Sequence, residues 1–262
     1  MIDTHSHILP GLDDGSPDVR TSLRMAAEAV SAGVSAIVCT PHLTELDAPF
    51  ADRARTVIEE LKSALAAASI DVELLLGFEV DLNVAATAGS EELWPLAIEG
   101  SNGAILIETP HWGWPVFARE TVFRLRTAGF LPILAHPERN DRIQRSPALL
   151  TECLEAGAVV QATAASLDGG FGRSSRQAFH RHLFRGEITL LASDAHSHRR
   201  SSWTMAPLMA GLRGQVSEDD LNMLVTVNPT ILLSGGKPVT VMPAVGGSSW
   251  RTTVRRLRFG RI

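Results

Sequence analysis

Short apolar runs rich in β-branched residues alternate along the chain with longer amphipathic stretches. The runs cover residues 1–7, 35–39, 72–78, 103–107, 131–135, 158–162 and 189–192. Their length and composition predict strands. Helices are predicted between them. Residues 17–32 carry Ser16 as an N-cap and Gly33 as a stop. Residues 51–68 place Ala54, Val57, Ile58, Leu61 and Leu65 at helical spacing. Segments 115–128, 147–156 and 173–185 end at Gly129, Gly157 and Gly186. Strand–helix alternation predicts parallel strands joined by helical crossovers. About 230 residues of this pattern suit a closed or nearly closed α/β barrel, with a doubly wound open sheet as the alternative. There is no internal repeat.

Breaks at residues 234–236 and 246–249 separate this body, residues 1–234, from an extension, 235–262. Charge follows the same division. No acidic residue follows Asp220, whereas Lys237, Arg251, Arg255, Arg256, Arg258 and Arg261 all lie there. Residues 1–220 therefore hold 18 cations against 29 acids, a net of -11. Such a body does not bind nucleic acid through its main surface. If helical, the end puts Trp250, Val254 and Leu257 on one stripe beside Arg251, Arg255 and Arg258. That pattern suits an acidic partner or an anionic membrane surface. No apolar run reaches membrane-spanning length, the N-terminus lacks signal-peptide features, and two cysteines make no disulfide framework. The expected location is the cytoplasm.

The ends of the strands carry the chemistry. His5 and His7 share one face of the first strand, since residues i and i+2 point the same way. His42 follows the second strand, Glu79 ends the third and Glu108 the fourth. His136 and Arg139 follow the fifth; Asp194 and His196 follow the seventh. Asp14, or its neighbour Asp13, follows the first strand, and spacing alone does not separate the two. Sites in barrels of parallel strands are built at the carboxyl ends. So many imidazoles and carboxylates exceed the needs of one ion and suit two or three of the Zn, Mn or Fe kind. A two-metal arrangement suits phosphate ester hydrolysis, with Arg139 as a bidentate clamp on phosphate oxygens.

Together HSHILPGLDDG, TPH, GFE, IE, AHPER and SDAH resemble the polymerase and histidinol phosphatase (PHP) superfamily. They are most similar to its capsule and exopolysaccharide branch, the manganese-dependent protein-tyrosine phosphatases. The resemblance runs from Met1 to about Leu233. It implies a distorted (β/α)7 TIM-like barrel with three divalent ions, Mn first, with Fe or Zn as alternatives. It implies one ion on His5, His7, Glu79 and Asp194, and a second on Glu79, Glu108 and His136. The third falls to Asp14, His42 and His196. Arg139 matches the family's phosphate-contacting arginine. A second arginine normally lies five residues after the last ligand histidine. Here that position is Ser201, with Arg199 and Arg200 just before it, and Arg200 is assigned the role. The implied substrate is phosphotyrosine on a polysaccharide-export tyrosine autokinase.

Other signals lead elsewhere. Neither Cys39 nor Cys153 is followed by an arginine at the spacing of a cysteine phosphatase, Cys-x5-Arg. Gly169-Gly170-Phe171-Gly172 lacks the context of a dinucleotide site and reads as a flexible loop. His111, Trp112 and Trp114 follow Glu108 and divide between plain surface packing and a substrate-contacting rim. His180, His182 and His198 are left out as ligands. The alternatives to the tyrosine phosphatase are a small-molecule phosphomonoesterase of the histidinol-phosphatase type and a non-enzymatic regulator.

Overall fold

A computed structural model describes residues 1–167, 169–196, 211–212 and 215–243. Its strands are β1 (Ile2–Ser6), β2 (Ala36–Cys39), β3 (His42–Leu43), β4 (Glu73–Leu76), β5 (Glu79–Asp81), β6 (Ala104–Glu108), β7 (Leu131–Ala135), β8 (Val159–Thr163) and β9 (Leu190–Ala192). All pair in parallel, in the orders β1-β2-β4 and β3-β5-β6-β7-β8-β9. Only Thr40 and Pro41 separate β2 from β3, and only Gly77 and Phe78 separate β4 from β5. Each pair therefore passes along the wall as one stave, giving seven. The last stave meets the first: the Asp194 N–H donates to His5 O and the His7 N–H to Ala195 O, both at 2.9 Å. The architecture is the expected distorted (β/α)7 barrel.

Helices α1 (Val19–Ser31), α2 (Ala48–Ala67), α3 (Leu82–Thr87), α4 (Ser90–Leu93), α5 (Ala118–Thr127), α6 (Asp141–Arg145), α7 (Ala148–Glu155), α8 (Ala164–Leu167) and α9 (Gly172–Phe184) lie between the strands. Alternate strand residues divide between two cores. Val38, Leu106, Ile133, Val159 and Leu190 pack together in one. Ile37, Ile105, Ile107, Leu134, Val160 and Leu191 pack in the other, with α1 and α2 residues such as Met25 and Leu61. Burial on both faces explains why these strands read as continuous apolar runs.

Three helix starts differ from expectation, one of them α5, which begins at Ala118, three residues after position 115. The N-cap of α1 is Asp18, which accepts from the Thr21 N–H at 2.7 Å, and not Ser16. The Ser16 hydroxyl is instead buried against the Ser22 hydroxyl, 2.8 Å away. Helix α2 begins three residues before position 51, because Asp47 caps it and Pro49 suits its first turn. Gly33, at φ +89°, stops α1 as expected.

Residues 218–233 form a helical segment with a π turn at Met223–Val227. From it the buried Asn228 clasps Val239, donating to its carbonyl at 2.8 Å and accepting from its N–H at 2.9 Å. Asn228 also donates to Thr189 O, at the amino-terminal end of β9. Val241 is buried in the same core. Residues 237–243 thus lie on the end of the barrel opposite His136 and Asp194. No helix among the described residues is long and apolar enough to cross a membrane. The sequence assignments to Arg199, Arg200 and the basic stripe 250–261 lie outside the described residues.

Candidate metal centre

Six staves deliver donors at their carboxyl ends: His5 and His7, His42, Glu79, Glu108, His136, and Asp194 with His196. Their tautomers are set by neighbours. The His5 Nδ1–H donates to Gln161 Oε1 and the His7 Nδ1–H to Asp13 Oδ2, each at 2.7 Å. With Nδ1 so engaged, both rings turn Nε2 toward the centre, 3.1 Å apart, and in the neutral form each offers its lone pair to a cation. Gln161, on β8, is itself held by its amide donating to Thr4 Oγ1 at 2.8 Å. The one stave without a ligand thus supplies a side chain that aims a ligand.

Three groups of donors result, the atoms of each lying within 4.8 Å of one another. His5, His7, Glu79 and Asp194 form a fully buried group. His7, Asp14, His42 and His196 form a second, and His42, Glu79 and Glu108 a third. His136 stands beside them, with Nε2 2.8 Å from Glu79 Oε1. Glu79 Oε2 has ring nitrogens of His5, His7 and His42 at 3.3, 3.4 and 3.0 Å. Yet Glu79 Oε2 and Asp194 Oδ1 are buried with no hydrogen bond from the described residues. Orphaned buried acceptors are costly. Facing these ring nitrogens, they fit a set of divalent cations, and the mixed His and carboxylate donors suit Zn, Mn or Fe.

The two adjacent aspartates have different jobs. Asp13 is nearly buried; besides His7 it accepts from the Gly15 N–H at 2.9 Å and the His42 N–H at 3.2 Å. Asp14 projects outward, with Oδ1 3.5 Å from His42 Nε2 and 3.3 Å from His196 Nε2. Gly15 makes this turn possible, since a Cβ there would stand 2.1 Å from the His7 carbonyl. Two donors sit on left-handed backbone, His136 at φ +36° and Asp194 at φ +52°. Such conformations are costly for non-glycine residues and gather at functional sites.

Electrostatics hold the centre charged. Burial favours the neutral Glu79 carboxyl, but His5, His136 and His42 hold its pKa well below the usual carboxylate range. Asp194 is also buried, and Arg139 and His5 hold it low. Arg139 is largely buried: Nη1 lies 2.6 Å from Asp194 Oδ2, and Nη2 donates to Thr163 Oγ1 at 2.6 Å. The guanidinium lies 3.6 Å over the Phe171 ring. The loop 169–172 therefore supports this arginine. Glu138 anchors the same region, accepting from Ser166 Oγ at 2.6 Å and the Thr163 N–H at 3.1 Å.

His111 stacks on His136, with centroids 5.8 Å apart at 24°. Its loop is tied down, since the Asp141 N–H donates to His111 O at 3.0 Å and the Asn140 amide to Gly113 O at 2.7 Å. Trp112 is 81% exposed on that loop. His182 pairs with Glu187, 2.6 Å away, outside the three groups. Both cysteines are buried. Burial raises the Cys39 thiol and pushes Cys153 up to about 12, so neither is a nucleophile near neutral pH.

Residues 1–234 match the family model described as capsular polysaccharide synthesis, CpsB/CapC. The chain is 32% identical over 238 residues to the tyrosine-protein phosphatase YwqE of Bacillus subtilis, covering 89% of this chain and 91% of that protein. It is 33% identical over 200 residues to a putative tyrosine-protein phosphatase, CapC, of Staphylococcus aureus, covering 75% and 77%. Among solved structures it resembles one from a study of YwqE of Bacillus subtilis and CpsB of Streptococcus pneumoniae, described as unique metal-dependent tyrosine phosphatases. That match has a TM-score of 0.79 at 29% identity and covers 95% of this chain and all of the other. A histidinol phosphate phosphatase of Lactococcus lactis shares the fold, with a TM-score of 0.50 at 13% identity over 81% of this chain and 92% of that one.

Proposed function

Because the chain belongs to the CpsB/CapC family, we propose that it is a metal-dependent tyrosine phosphatase with its centre around Glu79. The observation that carries this reading is the overlap of three donor groups through His7, His42 and Glu79. We assign His5, His7, Glu79 and Asp194 to one ion, Glu79, Glu108 and His136 to a second, and Asp14, His42 and His196 to a third. Manganese is the proposed metal, and the donors also suit iron or zinc. These residues would hold divalent ions, which would supply activation of water and positive charge against the phosphate.

The chain's own residues do the rest. Gln161 and Asp13 fix the rings of His5 and His7. Asp194 keeps Oδ1 turned to the first group while Arg139 binds Oδ2. Arg139 keeps an Nε–H with no partner among the described residues, and it places positive charge at the edge of the centre. Arg139 and Arg200 are the proposed phosphate contacts. The leaving phenolate, with a pKa near about 10, needs little proton donation. The proposed substrate is a cytoplasmic phosphotyrosine protein, a tyrosine autokinase of polysaccharide export.

The test is steady-state turnover of a phosphotyrosine peptide and of histidinol phosphate by the manganese-loaded protein. Preference for the phosphotyrosine peptide supports the reading. Preference for histidinol phosphate replaces it with the small-molecule reading, and no turnover of either leaves a binding protein.

A further inference from the structure

One flank of the donor groups opens into a cleft of about 440 Å³, beginning at Asp14, His42 and Glu108 and walled by Leu12, Leu43 and Phe50. That volume falls in the range of small-ligand clefts, about 300–1,000 Å³. A second cleft of about 390 Å³ shares Leu43 and Asp47 with the first and leads outward past Leu46, which is 45% exposed. The two form one groove from the metal centre along the start of α2. Its floor is apolar and its edges are acidic: Glu45 and Asp47, then Asp52 and Glu92. Among the described residues lining the clefts, Arg55 is the one Lys or Arg, and its charge is taken up by Asp52 at 2.8 Å. Glu45, Asp47 and Glu92 have no cationic partner among the described residues.

We propose that this groove binds the peptide around the phosphotyrosine and selects basic residues beside it. The proposal rests on the phosphatase reading. With the phosphate at the donor groups, the tyrosyl ring lies in the first cleft against Leu12, Leu43 and Phe50. The adjoining chain passes into the second cleft, between Leu46 and Leu96. Continuity with the centre sets the direction of the peptide, and the carboxylates that lack an ion-pair partner set its charge. A Lys or Arg within a few residues of the phosphotyrosine meets Glu45 or Glu92. A Glu at the same place meets like charge and is disfavoured.

The test uses the full-length, manganese-loaded protein with two phosphotyrosine peptides that differ only in carrying Lys or Glu on both sides. Fluorescence anisotropy reads binding and steady-state kinetics read turnover, with para-nitrophenyl phosphate as a substrate that has no flanking residues. The Lys peptide is expected to bind about tenfold more tightly, the worth of two exposed ion pairs. In turnover the difference lies in KM and not in kcat, because the groove holds ground state and transition state alike. The ratio narrows at 0.5 M salt, where screening is strong. Glu45→Lys reduces the ratio to about twofold or less, and Glu45→Gln gives an intermediate value. Equal binding of both peptides, or a ratio unchanged in Glu45→Lys, overturns the groove. If wild type hydrolyses neither peptide nor para-nitrophenyl phosphate, the phosphatase reading falls, while the anisotropy ratio still decides the groove.

Discussion

Arg139 Nη1 and Asp194 Oδ2 form an ion pair of 2.6 Å at the mouth of the barrel, with 7% and 3% of the side chains exposed. Asp194 Oδ1 points the other way, 3.2 Å from the Nε2 atoms of both His5 and His7. One carboxylate thus joins the proposed phosphate arginine to the first donor group. Arg139→Ala should therefore do two things. It should lower kcat about 10²–10³-fold, the loss of one preorganised charged donor. It should also weaken retention of the metal on His5, His7, Glu79 and Asp194, because Asp194 loses the group that orients it. Arg139→Lys should restore only part, since an ammonium cannot reach Asp194 and Thr163 with a planar fork. Metal content and kcat measured on the same preparations check both effects.

Phe171 lies face-on to that guanidinium at 3.6 Å. A cation–π contact is worth about 0.5–2 kcal/mol, depending on desolvation. Phe171→Leu, which keeps the apolar bulk, should lower kcat about three- to tenfold. Phe171→Tyr should stay near wild type. If Leu and Tyr behave alike, the ring acts only as filler.

Proton release should accompany metal binding. Burial opposes charge on His42, but Glu108 and Glu79 outweigh it and push its pKa up to about 10 in the metal-free chain. His7 is raised in the same way: burial opposes its charge and Asp13, Asp194 and Glu79 outweigh that. A raised imidazole stabilises the metal-free fold fully below its unfolded pKa of about 6.5 and loses that contribution as pH rises through the folded value. Ligation needs the neutral ring. Apparent metal affinity should therefore rise with pH across the neutral range. Calorimetry in two buffers of different ionisation heat should show net proton release at pH 7, and binding without proton release would contradict the ligand assignment.

The end of the chain separates structure from chemistry. Cutting after Ser234 takes from the Asn228 amide both hydrogen bonds to Val239, leaving the one to Thr189 O, and removes buried Val241. Each lost hydrogen bond is worth about 0.5–1.5 kcal/mol, and burial of a Val side chain is worth about 1.5 kcal/mol or more. That truncation should lower Tm by several degrees. Cutting after Pro243 leaves both contacts, so it should leave Tm and turnover of a small aryl phosphate nearly unchanged. Thermal melts of the two truncations decide this.

Much of the site was legible because parallel strands end at one rim. Six apolar runs followed by imidazole or carboxylate could be read as donors around one mouth before any coordinates. Aspects that depend on side-chain direction were not legible. Asp13 and Asp14 are neighbours of one type, and only the fold turns one inward to His7 and the other outward to His196. Gln161 lies inside a strand that ends without a ligand, so nothing marked it as the support of His5. Phe171 sits among glycines that read as loose loop, and its contact with Arg139 joins segments 32 positions apart. Ser16 and Asp18 are both good caps, and burial of Ser16 against Ser22 decided between them.

The central claim is that turnover depends on metal held around Glu79. The most direct measurement strips the full-length protein with a chelator and restores manganese in steps, following bound metal and phosphotyrosine-peptide hydrolysis together. The account predicts no turnover in the stripped protein, recovery in step with bound metal up to about three equivalents, and no such recovery in Glu79→Ala. Full turnover by the metal-free protein, or full metal occupancy and full rate in Glu79→Ala, would contradict it.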